Sequence, residues 1–115
     1  ETRSTADSVR RGLDHILSGA EPPTAILAMS DRVAMFALEM LAERGFRVPQ
    51  DISVVGFDGV PEAATVNPPL TTVVQPIAEI GRRAVKTILE HDGSVHRESL
   101  PLELMVRNST AGPGA

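Results

Sequence analysis

The chain contains no cysteine, no tryptophan and no tyrosine, and only three phenylalanines among its 115 residues. Without cysteine, disulfide frameworks, thiolate metal sites and a cysteine nucleophile are excluded. With so few aromatic rings, stacking of bases or sugars within these residues has little surface to use. The core must be built from Ala, Val, Ile, Leu and Met. Positive charge is scarce too: 11 basic residues against 15 acidic ones give a formal charge of −4. Arg10-Arg11 and Arg82-Arg83 are isolated pairs. Nucleic acid requires a cationic footprint, so direct contact with DNA or RNA is not expected. No apolar run is long enough to cross a bilayer, no signal peptide is evident, and no membrane partner is expected. The chain opens on Glu1 rather than Met, which reads as a fragment or a processed product. What is present is an ordinary globular balance of 42% hydrophobic and 23% charged residues. It suits one compact domain or a piece of one.

Ser4-Thr5-Ala6-Asp7 has the spacing of a capping box. Ala6, Val9, Leu13, Ile16 and Leu17 follow at helical intervals, predicting a helix over about 5–18 that stops at Ser18-Gly19. After Pro22-Pro23, Thr24 to Met29 is a short apolar run, which favours a strand covered on both faces, as in a parallel sheet. An apolar helix follows from Val33 to Ala42 and ends near Gly45, with Arg32, Glu39 and Glu43 as one narrow polar stripe. Such a helix packs on two sides, against the sheet and against something else, for which another subunit is a candidate. Ile52 to Phe57 reads as a second buried strand closed by the Asp58-Gly59 turn. The stretch from Val60 to Pro69 holds three prolines and reads as a loop with a short helical turn at Glu62–Thr65. Leu70 to Gln75 is β-branched and forms a third strand. Pro76 suits the first position of a helix whose face is Ile77, Ile80, Ala84, Ile88 and Leu89, ended by His91-Asp92-Gly93. Leu100, Leu102, Leu104 and Val106 alternate as a half-exposed strand, and Ala111 to Ala115 reads as a frayed tail. The order α-β-α-β-β-α-β places the chain in the α/β class with a parallel sheet.

Ser30, Asp31 and Asp58 each stand just after a predicted parallel strand. In open α/β sheets, ligands bind outside the carboxyl ends of the strands, where helix N-termini add free N–H groups. A carboxylate there suits a polyol, because its two oxygens can accept from adjacent hydroxyls. The structural alternative stays open: Ser30 and Asp31 are capping types, and Asp58 could simply shape its turn. His15, His91 and His96 are scattered without a ligand partner at helical spacing, so neither a metal nor another cofactor is expected. No nucleophile motif or phosphate loop occurs, and Glu39 and Glu43 read as solvated, so the chain is not expected to be an enzyme.

Three longer blocks now stand together. They are Pro23-Thr-Ala-Ile-Leu-Ala-Met-Ser-Asp31 with Ala34 after it, Gly45-Phe-Arg-Val-Pro-Gln-Asp-Ile-Ser-Val-Val-Gly-Phe-Asp58, and Pro69-Leu-Thr-Thr-Val-Val-Gln-Pro76 with Gly81 after it. In this order and spacing they resemble the lactose/galactose-repressor (LacI/GalR) family over about Thr5 to Ser109. The resemblance implies a cytoplasmic transcription regulator that binds a small effector of the carbohydrate class and reaches operator DNA only through an N-terminal headpiece absent here. It implies an incomplete lobe of the type I, periplasmic-binding-protein-like fold. On that reading 1–75 belong to the second lobe, 76–104 pack on the first lobe, and 105–115 are a terminal strand and tail. Asp58 matches the family's effector-binding aspartate, Ser30 a polar effector contact, and Asp31 a family-typical acidic residue. Phe57 falls in the same block but replaces the commoner tyrosine, which removes a contact through a phenol hydroxyl. Met35, Leu38, Glu39 and Val66 match the homodimer interface. The apolar face at 77–90 then needs cover, either by folding back on this chain's own sheet or by exchange with a second copy. A periplasmic-type sugar-binding protein for transport is the alternative with the same fold.

Overall fold

A computed structural model describes residues 5–113. Helix α1 (Thr5–Leu17) leads to strand β1 (Ala25–Leu27), helix α2 (Asp31–Glu43) and strand β2 (Ser53–Asp58). A 3-10 turn (Pro61–Ala64), strand β3 (Thr71–Val74), helix α3 (Ile77–Leu89) and strand β4 (Glu103–Met105) complete the order. That is the order read from the sequence; Ser4 of the expected capping box lies outside the described residues. The sheet runs β1-β2-β3-β4, with β1, β2 and β3 parallel and β4 antiparallel to β3. The sheet is therefore mixed at its last strand.

The core follows the helical spacing of α2. Ala34, Ala37 and Leu41 lie on one stripe and are almost fully buried, as are Ile52, Val54 and Leu70 beneath them. Leu13 of α1 is buried in the same cluster, with Ala6, Val9 and Leu17 packed around it. Part of the second contact expected for α2 is thus α1. Arg44 pins the two helices, with its guanidinium 2.6 Å from Asp14 and 3.0 Å from the Met40 carbonyl. Gly45 then turns the chain at φ +80, a conformation that a side chain rarely adopts.

Three expectations are corrected. First, β1 is not covered on both faces: Ile26 and Ala28 turn inward, whereas Leu27 is 76% exposed. A strand alternates its side chains between two faces, and here only one face has helices on it. Second, the tail is not frayed from Ala111. The Ala111 N–H donates to the Ser53 hydroxyl at 3.1 Å, and Asn108 donates to the Pro69 carbonyl. Buried Ser109 is the centre of this seam: its hydroxyl donates to the Val54 carbonyl at 2.6 Å and accepts from the Thr71 N–H at 2.8 Å. The Ser109 carbonyl accepts from the Val54 N–H. Third, α3 does not fold back on the sheet. None of its residues is buried, and Ile88 and Leu89 are largely exposed. Its own ties are ionic: Arg82 and Arg83 hold the Glu79 carboxyl down at about 2, and Arg83 also pairs with Glu98. The projecting helix helps raise the radius of gyration to 17.6 Å, against about 13 Å for a compact chain of this length.

Two stability outcomes follow for urea unfolding of this chain. Leu41→Ala loses about 2–5 kcal/mol, whereas Ile88→Ala stays within about 0.5 kcal/mol, because only the first leaves a cavity. Ser109→Ala loses about 1–3 kcal/mol, since it strands a buried carbonyl and a buried N–H together.

Candidate functional site

Three parallel strands place their carboxyl ends on one edge. Ser30 follows β1, Asp58 closes β2, and Gln75 follows β3. Ser30 has extended backbone (φ −153, ψ 161), and its hydroxyl accepts from the Val33 N–H at 3.1 Å. It is the N-cap of α2. Its half-buried position at the helix N-terminus also sets it on the rim.

Asp58 is the unusual residue of this edge. Its φ is +132, a region that residues with a side chain rarely enter. Holding it there costs about 1–3 kcal/mol unless the surroundings enforce it, and such strain gathers at binding sites. The strand ladder contributes: Asp58 pairs with Val74, and the Gln75 N–H donates to the Asp58 carbonyl at 2.9 Å. The Gln75 side-chain amide donates to Asp58 Oδ1 at 2.8 Å. Asp58 Oδ2 accepts no hydrogen bond among the described residues, so the half-buried carboxyl keeps an acceptor for something else.

Asp31 is a correction. Its carboxyl neither lies on the rim nor caps its helix. It is fully buried and points behind the edge, toward the loop after β2. Oδ2 accepts from the N–H groups of Gly59 and Val60, both at 2.8 Å, and Oδ1 accepts from the Thr72 hydroxyl at 2.5 Å. Gly56 makes room for it, because a Cβ there would sit 2.3 Å from Asp31 Oδ1. A ligand at the edge has no open path to this carboxyl. Phe57, one residue on from Gly56, emerges on the opposite face of the strand and is half-buried there, away from α2.

The four residues matched to a dimer interface do meet. Met35, Leu38, Glu39 and Val66 line one groove along α2, beside Arg32 and Phe36. The Arg32 guanidinium lies 5.8 Å from the centre of the Phe36 ring. Two residues escaped the sequence reading, Gln75 on the rim and the buried Thr72 behind it. Gln75 stands just after a strand, as Ser30 and Asp58 do, so the same edge rule finds it. Thr72 gave no signal, because a threonine in a strand reads as ordinary β-branched sheet.

Comparison with known proteins finds relatives of this sequence and fold. Residues 1–110 match the periplasmic binding protein-like domain family. The transcriptional repressor CytR of Escherichia coli is 37% identical over 111 residues, covering 92% of this chain and 32% of its own length. A LacI family regulator from Enterococcus faecalis, solved with bound ribose, superposes at a TM-score of 0.83 with 33% identity, covering 96% of this chain and 42% of that one. The dimeric Lac repressor superposes at 0.83 with 31% identity, covering 95% and 41%. The chain thus spans about a third of the length of the curated relatives it matches. A family match over nearly every residue, with relatives and folds that agree, settles the kinship: the chain belongs to the periplasmic binding protein-like domain family, in the branch whose relatives are LacI-type regulators.

Proposed function

We propose that this segment senses a small polyhydroxylated effector, of the sugar class, and joins two copies of its regulator. The carrying observation is Asp58, held at the carboxyl edge with one carboxyl oxygen unclaimed. That oxygen and the one shared with Gln75 can accept from neighbouring hydroxyls of a ring, with Ser30 beside the same edge. The ribose bound to the Enterococcus faecalis relative supports the sugar class.

One lobe supplies half of such a pocket. In a two-lobed core, 76–104 would pack on the other lobe, which accounts for the open apolar face of α3. Ile77, Ile80 and Ile88 are exposed here, and each such side chain gains about 1.5–3 kcal/mol on burial. An effector that binds both lobes favours their closed arrangement. Closure then changes the spacing of two DNA-reading headpieces carried outside this segment, in the cytoplasm. The groove along α2 supplies the two-fold contact, with Met35 and Val66 among its apolar lining and Arg32 and Glu39 as charges of opposite sign.

Two outcomes are expected. In the two-lobed protein, Asp58→Asn weakens the sugar selected from a pentose and hexose panel by about 10–100-fold in calorimetry, because bonds to a charged acceptor are lost. Unchanged affinity would remove Asp58 from the site. Light scattering on a sizing column finds the two-lobed protein at twice its chain mass and Met35→Glu at one chain mass, because a charge buried in the groove is costly. A dimer that survives Met35→Glu would place the interface elsewhere.

A further inference from the structure

The loop that carries Asp58 is gripped from behind by a side chain that a ligand does not reach. Gly59 and Val60 follow Asp58 directly, and both donate their N–H groups to Asp31 Oδ2 at 2.8 Å. Gly59 has φ +84, and a Cβ on it would come within 2.9 Å of the Val74 backbone. The chain therefore makes its strained turn, from φ +132 at Asp58 to φ +84 at Gly59, while pressed against β3. Nothing in the ladder of β2 holds these two N–H groups, because the strand ends at Asp58. On its other oxygen Asp31 accepts from the Thr72 hydroxyl, so the same carboxyl spans α2, the loop and β3. All of its hydrogen-bond partners lie within the protein, and it is fully buried.

We propose that Asp31 is a positioning residue for the effector site: it fixes the turn after β2 so that Asp58 stays at φ +132 with its carboxyl beside Gln75. The inference rests on the reading of Asp58 as the effector contact. It assigns Asp31 a part in binding that involves no contact with the effector. Thr72 serves Asp31 in turn, by holding the carboxyl at the angle from which Oδ2 meets both N–H groups. The arrangement also accounts for Gly56, whose missing side chain is the space that Asp31 occupies.

Amide hydrogen exchange and NMR spectra of this chain test it without any ligand. Removal of the acceptor in Asp31→Ala speeds exchange at Gly59 and Val60 by more than about tenfold, whereas the Leu41 and Val54 amides change by less than about threefold. The Gln75 side-chain amide resonances move at the same time, because Asp58 leaves it. Asp31→Asn keeps an acceptor oxygen and restores slow exchange at both positions. Should Asp31→Ala not fold, Thr72→Val decides: the expected result is faster exchange at Gly59 and Val60 with the Leu41 amide unchanged. Exchange at Gly59 and Val60 that is untouched by the variant overturns the proposal. So does acceleration of all core amides together, because Asp31 would then hold the fold as a whole and not the turn. A turn that loosens as expected, in a protein whose sugar affinity ignores Asp58→Asn, contradicts the effector reading and not the bracket.

Discussion

A buried carboxyl has to have its hydrogen bonds met inside the protein, and Asp31 meets that demand by joining three pieces of chain that are far apart in sequence. Its backbone begins α2, its Oδ2 holds the loop after β2, and its Oδ1 holds β3 through Thr72. The start of a helix suits a carboxyl, since the free N–H groups of the first turn make the region electropositive. Residues on either side of it inherit their placement from this node. Ser30, one residue before, caps α2 at the edge, and Asp58, one residue before the gripped Gly59, is carried at an unusual backbone angle. The rim at the carboxyl edge and the bracket that faces the core are thus two sides of the same construction.

The rest of the described chain divides by burial. The stripe of α2, the inner faces of β1 and β2, and Leu13 of α1 form one small aliphatic core. The open face of β1 and the length of α3 stay outside it, with Leu27, Met29, Ile88 and Leu89 all exposed. A sheet with parallel strands ordinarily carries helices on both faces. Regulators to which this chain is similar are about three times its length.

Much of the fold was legible in the residues. Alternation of short apolar runs with helical stretches fixed the order of elements, and the turn chemistry of Asp58-Gly59 marked the end of β2. The rule that ligands sit at carboxyl ends of parallel strands picked out Ser30, Asp31 and Asp58 alike. The structure sets Ser30 and Asp58 on that edge and turns the Asp31 carboxyl behind it, for a physical reason. A carboxyl just after a strand looks alike in sequence whether it faces outward or inward. Direction was decided by N–H groups 28 and 29 residues away, and by a glycine that left space for it. Ser109 was hidden in the same way, because a polar residue near a chain end carries no mark of the carbonyl and N–H it will satisfy. The stretch of α3 was read correctly as a helix, but its apolar side is not buried among the described residues, and what covers it is a tertiary question that periodicity cannot address.

The most direct test of the account is a crystal structure of the two-lobed regulator with its sugar bound. The account predicts hydroxyls of the ligand within about 3 Å of the Asp58 carboxyl, with Asp31 still buried against Gly59, Val60 and Thr72. A sugar that occupies the cleft while Asp58 turns away from it, or one that reaches Asp31 directly, would contradict it.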